Sequence, residues 1–501
     1  MAADKHINKQ LERTVKDSLV YLPARIVPAI IGIALIRILS TVFTPEDYGY
    51  YQIALSTFGL IRVFSMIWLS TSVTRFYLKH KQQSREELFF STLLFTTLTS
   101  ALFVAALSLI LNTTLLAASM SENLTSLINL VIAASIFNTV FEVFVVIFRA
   151  GLQPKLYTLY WVIFSVGKPV IGVLLIYVYH FRAAGIFWGF LIAPMILDVI
   201  LFFKLRLHHQ VKIRFFSYPL LKRFFKYGVP ISMSFFAFWI LTLSDRYLLG
   251  YFRGGAEVGL YSVGYTISEK TLNFIYMILM LAAYPIIIDN YEEFGDERAQ
   301  QLITELTRYF FLICTPVMTV LVVMPRDMFL IFSDAKFIDG ARVLPLIAAA
   351  VFLFGLNQYV LKGFELHQKS LRIAQLALIA GSVNILSNLI LIPRMGYIGA
   401  GISALVAYVV YFMSSIYFAR MELAWRPPLR SIIRILSVAL LILVSVKGLS
   451  IILPTTLIRI VVLVPLTFIL FYGLLIVIKE IDMREIKAGW TFIQKRFQVP
   501  R

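Results

Sequence analysis

Ten ionisable side chains fall inside long apolar runs of this 501-residue chain: Arg25, Arg37, Arg62, Lys168, Arg246 and Lys270, with Glu142, Asp198, Asp245 and Glu269. At the centre of a membrane helix each such group costs about 2.5–3.5 kcal/mol on insertion scales. Facing lipid together, they would outweigh the roughly 5–15 kcal/mol of net stability that a fold has. Most must therefore pair with one another or face a wet cavity, while Arg37 lies near enough to an interface to snorkel. Arg25 stands between Pro23 and Pro28, with Ala29 and Gly32 on its helical face, and Lys168 precedes Pro169, with Ser165 and Gly172 on its face. Prolines free backbone carbonyls around a cation, and small residues leave room for a guest. Arg25, Arg62 and Lys168 have no acidic neighbour within a turn of their own helix and read as cavity cations. A cavity lined by cations suits an anion, and fixed Arg and Lys donors suit phosphate above all.

The remaining charges leave alternatives open. Ser135, Asn138, Glu142 and Arg149 form one helical stripe, so Glu142 either pairs with Arg149 through an intermediate or faces the cavity. Ser262, Tyr265, Glu269, Asn273 and Tyr276 form another stripe, with Lys270 beside it. Asp245-Arg246 and Glu269-Lys270 are sequence neighbours, and adjacent residues of a helix do not face each other. Each of these is expected to find a partner on another helix or to line the cavity, and Asp198 joins them as a candidate for ion coupling.

The elements that position these groups must be membrane helices. The chain is 59% hydrophobic and only 15% charged, against about 25% charged in a soluble domain. Apolar runs of about 20 residues or more, enough to cross a hydrocarbon core of about 30 Å, predict about fourteen spans near 18–42, 48–73, 88–111, 124–148, 156–179, 183–204, 227–251, 257–288, 304–325, 341–361, 371–393, 397–419, 431–451 and 456–478. Lys and Arg gather about fourfold more on the side of the N-terminus, which puts both ends in the cytoplasm. The net charge of +19 is thus topological and not a nucleic-acid patch. Ile7, Leu11, Val15 and Leu19 predict an amphipathic helix on the inner surface, with no removable signal peptide. The one cysteine, Cys314, excludes a disulfide framework and a thiolate metal site. We find no metal-ligand, nucleotide-loop or nucleophile-elbow motif, so an enzyme is not expected.

Three features recur in order. Asp47-Tyr48-Gly49-Tyr50-Tyr51 after the first span matches Glu257-Val258-Gly259-Leu260-Tyr261 after the seventh. Arg149-Ala150-Gly151 matches Lys362-Gly363, and Gly185, Gly189 and Ala193 match Gly399, Ser403 and Ala407, at offsets that drift only from 210 to 214 residues. A repeat of six helices is the economical reading. Six is even, so the copies are parallel and related by an axis along the membrane normal, with a site between them. The chain then divides into a cytoplasmic amphipathic segment (1–17), a first lobe (18–205), a cytoplasmic loop (206–226), a second lobe (227–422), two appended helices (423–478) and an interfacial tail (479–501).

Phe43-Thr44-Pro45-Glu46-Asp47-Tyr48-Gly49-Tyr50-Tyr51, Phe225-Lys226-Tyr227-Gly228-Val229-Pro230 and Ser244-Asp245-Arg246-Tyr247 before Glu257-Val258-Gly259-Leu260-Tyr261-Ser262 resemble signatures of the polysaccharide (Wzx-type) flippases. The resemblance implies the multidrug/oligosaccharidyl-lipid/polysaccharide exporter superfamily, an all-α fold with two parallel six-helix lobes in a V plus two C-terminal helices. It implies outward movement of a polyprenyl-pyrophosphate-linked oligosaccharide, an O-antigen or exopolysaccharide repeat unit, by alternating access in a bacterial inner membrane. In related lipid II flippases, cations on the first, second and eighth helices are important; here Arg25, Arg62 and Lys270 occupy those helices. With Lys168 these would hold the pyrophosphate, while Pro23, Pro28, Pro169 and Pro230 let the lobes rock. No cofactor is expected; the membrane potential alone or Na⁺ or H⁺ coupling would drive transport. Membrane lipids, a polysaccharide polymerase and glycosyltransferases are the implied partners. A cation-coupled multidrug exporter is the nearest alternative, and an integral membrane polymerase or ligase a more distant one.

Overall fold

A computed structural model of the chain describes residues 20–116, 121–453 and 455–482. The amphipathic segment expected over 1–17 and most of the tail at 479–501 lie outside the described residues. Among those described there is no strand. Helices α1 (Pro23–Val42), α2 (Pro45–Gln82), α3 (Glu86–Thr114), α4 (Glu122–Ala150), α5 (Pro154–Tyr179), α6 (Arg182–Lys204) and α7 (Tyr218–Arg253) follow one another. The next helical stretch runs for 69 residues, Gly255–Val323, and breaks at Gly295, whose φ is 74°. The break separates α8 (255–294) from α9 (296–323). α10 (Leu344–Leu366) precedes a second long stretch, Ser370–Ala419, which breaks at Gly396 (φ 58°) into α11 (370–395) and α12 (397–419). α13 (Leu429–Ile452) and α14 (Thr456–Val477) end the series.

Among the described residues twelve stretches are long and apolar enough to cross a membrane. Straight helices of 69 and 50 residues would be roughly 100 and 75 Å long at 1.5 Å per residue, far beyond a core of about 30 Å. Each must cross twice. Only glycine adopts these backbone angles without strain, so the breaks fall at Gly295 and Gly396. The result is fourteen transmembrane helices among the described residues, and the chain is a multi-pass membrane protein.

Local signals set the ends. Thr44 caps α2 by accepting from the Asp47 backbone N–H at 3.1 Å, with Pro45 in the first turn and Glu46 and Asp47 favouring the helix N-terminus. Ser217 caps α7 in the same way, so α7 begins at Tyr218, nine residues before the apolar run at 227. Its first turns are amphipathic, with Lys222, Arg223 and Lys226 exposed, which hydropathy alone reads as loop.

The helices belong to two compact units. The first comprises Met1–Ser262 with Ala377–Ala400, and the second Val263–Leu376 with Gly401–Arg501. Within the first unit two of the repeated motifs show why they recur. A methyl on Gly49 would overlap the Gly255 carbonyl, and a methyl on Gly259 would overlap the Pro45 carbonyl. Shifting 49 and 45 by the repeat offset of 210 gives 259 and 255. The two turns therefore pack on each other as equivalents, each glycine admitting the other's backbone. The small-residue stripes also act alike. Gly185 and Gly189 let α6 close on α5 at Gly172 and the Lys168 carbonyl, and Gly399 lets α12 close on α11 at the Leu391 carbonyl. The third motif divides: Gly151 caps α4, whereas Gly363 sits in a short helix packed on Leu423 of its own unit.

Candidate functional site

Arg62 stands at the end of the first part of α2, directly before a π-helical turn, Val63–Ile67. Such turns insert one residue and re-aim the side chains that follow. The Arg62 guanidinium faces Glu142 of α4, donating from Nε to both carboxylate oxygens at 3.1 and 3.0 Å and from Nη2 at 2.7 Å. One turn on, Ser65 and Thr139 join the same two helices at 2.9 Å. Glu142 is buried, its side chain 5% exposed, while that of Arg62 is 42% exposed. A buried carboxylate needs such a forked partner to offset its desolvation. The pair therefore satisfies Glu142 and leaves part of the guanidinium open. This corrects two expectations: Arg62 is not unpaired, and Glu142 does not turn to Arg149. Arg149 instead donates to the Thr74 hydroxyl at 3.3 Å and lies over the Tyr157 ring. The Arg62–Glu142 partners are 80 residues apart, beyond any helical spacing.

Lys168 of α5 has no ion pair with any described residue. Its Nζ sits 3.8 Å from the centre of the Phe164 ring and 4.5 Å from that of Phe190, a cation held between two aromatic faces. Arg62 and Glu142 both lie within electrostatic reach of it. Phe164 stacks on Phe141 at 4.1 Å, and the Phe190 carbonyl accepts from Asn138 Nδ2 at 2.7 Å. Asn138 also donates to the Ala134 carbonyl, while its Oδ1 is buried without a hydrogen bond among the described residues. The α4 stripe thus turns inward as the periodicity predicts, with Ser135, Asn138 and Glu142 all buried. The cluster holds two cations against one carboxylate. Arg25, on α1, is exposed and has no ion pair with a described residue.

Asp198 of α6 carries two carboxylate oxygens that are buried and have no hydrogen-bond donor among the described residues. Such a group is costly unless it is protonated or meets a cation.

Asp245 and Arg246 are 1% and 3% exposed and bond to each other, from Arg246 Nη1 to Asp245 Oδ1 at 3.2 Å and from the Arg246 N–H to the same oxygen at 2.8 Å. The expectation that neighbours cannot face each other fails here because α7 breaks at Ser244. Asp245 opens the second segment, where a carboxylate folds back onto free N–H groups. Tyr261 donates to the other carboxylate oxygen, and Arg246 reaches the Thr242 carbonyl at 3.0 Å. This is a buried structural knot.

In the second unit Glu269 and Lys270 also pair with each other, at 3.6 Å with each side chain 35% exposed. The long Lys270 side chain curls back across the helix surface, so the expected cross-helix partner is absent among the described residues. Asn273, one turn on, keeps a buried Oδ1 without a hydrogen bond among the described residues.

Several ion pairs escaped sequence reasoning, and three sets of them involve buried groups. Glu480, past the end of α14, accepts from Arg308 Nε at 2.9 Å and Arg434 Nη1 at 3.2 Å, and the Glu480 carbonyl accepts from Arg308 Nη2. Asp327 accepts from Arg459 Nε and Nη2 at 3.0 and 2.8 Å. Lys362 pairs with Glu365 at 2.6 Å and lies over the Tyr284 ring. Of these three, the last has a sequence signal, its spacing of three residues.

The family described as "Polysaccharide biosynthesis protein" matches residues 14–290, more than half of the chain. An uncharacterized membrane protein of Methanocaldococcus jannaschii, MJ1068, is 25% identical over 211 residues, a match that spans 40% of this chain and 40% of that relative. Among solved structures, the inward closed conformation of the lipid II flippase MurJ superposes with a TM-score of 0.74 over 92% of this chain and 98% of that one, at 14% identity. An inward-facing multidrug resistance MATE family transporter of the MOP superfamily superposes with a TM-score of 0.61 over 81% and 94% of the two chains, also at 14% identity. The shared fold is that of this superfamily. The chain belongs to the polysaccharide biosynthesis protein family.

Proposed function

We propose that this member of the family is a flippase that carries a polyprenyl-pyrophosphate-linked oligosaccharide, an O-antigen or exopolysaccharide repeat unit, from the inner to the outer leaflet. The observation that supports it best is the first unit's charge count: Arg62, half open, and Lys168, with no anion of its own, share the single carboxylate of Glu142. A cluster with surplus positive charge inside an apolar bundle calls for an anionic guest. A pyrophosphate diester supplies about two negative charges, and an inside-negative potential drives each outward by about 2.3 kcal/mol per 100 mV. Arg25 and Lys270 are the further cations we assign to the passage of the pyrophosphate. The reading places the chain in a bacterial inner membrane with both ends in the cytoplasm, where polymerase and glycosyltransferases would hand over substrate and take product. Asp198 is the residue to test for H⁺ coupling.

Asp198 also favours a second reading, export of organic cations, because an unpartnered carboxylate is what such a guest would neutralise. Proteoliposomes separate the two. We expect fluorescent lipid-linked oligosaccharide to cross the bilayer, and Lys168→Ala to stop it while Lys168→Arg keeps it. Uptake of an organic cation that Asp198→Asn abolishes, without movement of the lipid, would overturn the flippase reading.

A further inference from the structure

Two cavities of the first unit, of 640 and 320 Å³, share Leu60, Ile61, Ser108 and Leu111 and so form one groove along α2, α3 and α7. Its floor is built. The Trp68 carbonyl leaves no room for a methyl on Gly228, Ser72 donates to the Phe224 carbonyl at 3.1 Å, and Trp239 Nε1 donates to the Ser56 carbonyl at 2.9 Å. Near its far end the Thr57 and Tyr247 hydroxyls meet at 2.6 Å. α3 forms the other wall, tied to α2 by Ser100 Oγ donating to the Ser65 carbonyl at 3.0 Å. Arg62 reaches toward α4, and in and just after the π-helical turn that follows it Phe64 and Trp68 line the groove. Phe95, Phe103, Phe225 and Met233 continue the apolar lining.

Two observations select an occupant. First, the groove follows α7 from Leu221 to Leu248, roughly 40 Å of helix, whereas a phospholipid chain reaches only to the middle of a core about 30 Å thick. Second, Lys222, Arg223 and Lys226 are exposed on α7 beside Leu221 and Phe225, a cationic mouth suited to a phosphate.

We propose that this groove binds the hydrocarbon chain of a polyisoprenoid phosphate, extended along α2, α3 and α7 with its phosphate at the Lys222–Lys226 end. The proposal rests on the flippase reading for the identity of the chain, and assigns it a path in the first unit. The lipid moves with its tail held against the same unit that carries Arg62 and Lys168.

The test uses the full chain in nanodiscs with two photoreactive probes, a polyprenyl phosphate without sugars and a phosphatidylglycerol. We expect the polyprenyl probe to label peptides spanning 95–107 and 221–233, and unlabelled polyprenyl phosphate to suppress that labelling. Thr99→Trp and, separately, Leu107→Trp fill the groove from exposed positions. Each should lower labelling about tenfold, the loss of roughly two buried methylenes. Leu102→Trp, on the same helix but outside the groove, should leave it unchanged. Equal labelling by phosphatidylglycerol, or unaltered labelling in well-folded Thr99→Trp and Leu107→Trp, overturns the proposal. If the labelling behaves as expected but proteoliposomes move no lipid-linked oligosaccharide, the flippase reading fails and the groove assignment stands.

Discussion

In the first unit, Glu142 is gripped by a guanidinium that stays 42% exposed, and Lys168 rests on two rings with no carboxylate of its own. In the second, Glu480 is held by two cations at once, Arg308 and Arg434, 18% and 52% exposed, and Asp327 takes a forked Arg459, which is 25% exposed. Glu480 and Asp327 lie at opposite ends of the α13–α14 pair, beyond α14 and beside its first turn. Glu480 and Asp327 are saturated and staple helix ends. Lys168 has no carboxylate partner among the described residues, and Arg62 and Glu142 are the nearest charges to it. Charge that serves architecture is satisfied, because a buried acid without donors costs several kcal/mol, whereas charge that serves a guest stays partly open until the guest arrives.

The largest test of this contrast is Arg62→Ala. It strands a buried carboxylate, and we expect a loss of about 3 kcal/mol of stability, read as a lowered unfolding temperature in detergent. Adding Glu142→Ala should restore most of that loss but not transport. Recovery of transport in the double variant would make the pair a staple like those of the second unit. Glu480→Gln should cost about 1.5–3 kcal/mol through weakened charge-assisted bonds, measured by thermal unfolding, with transport by the surviving folded protein unchanged. Lys168→Met gives up a desolvated cation–π contact worth about 2 kcal/mol but also removes the cost of a buried charge, so stability should change little, yet lipid movement in proteoliposomes should be abolished. A large stability loss there would erase the contrast.

The smallest effect is a pH dependence. Burial pushes the Glu480 carboxyl upward, but hydrogen bonds from Ser431, Arg308 and Arg434 outweigh it and hold the group below its ordinary value of 4.5. A folded-state value below the unfolded one means that the acid form is bound more weakly by the native state. The stabilisation is therefore fully present above the ordinary carboxylate range and is lost as pH falls through the lowered value. The gap in unfolding temperature between wild type and Glu480→Gln should hold constant from neutral pH to the ordinary value and shrink below it. A gap that widens on acidification would contradict the clasp.

Much of this was legible in the residues. The apolar runs at 257–288 and 304–325 read as separate spans, and Gly295 between them is where the long helix breaks. Gly49 and Gly259 announced a repeat, and their mutual packing gives the repetition its cause. The inward stripe of Ser135, Asn138 and Glu142 followed from a period of 3.6. The pairings were not legible. Asp245 and Arg246 bond to each other although they are neighbours in sequence, and Arg308 meets Glu480 across 172 residues.

By itself the sequence determined the membrane class, the fourteen crossings and the duplicated motifs, because hydropathy, helix period and glycine freedom act over a few residues. Only the tertiary structure decided which charges are spent on one another. Ion pairing depends on separations of a few ångströms between helices far apart in the chain, and no local pattern encodes that distance.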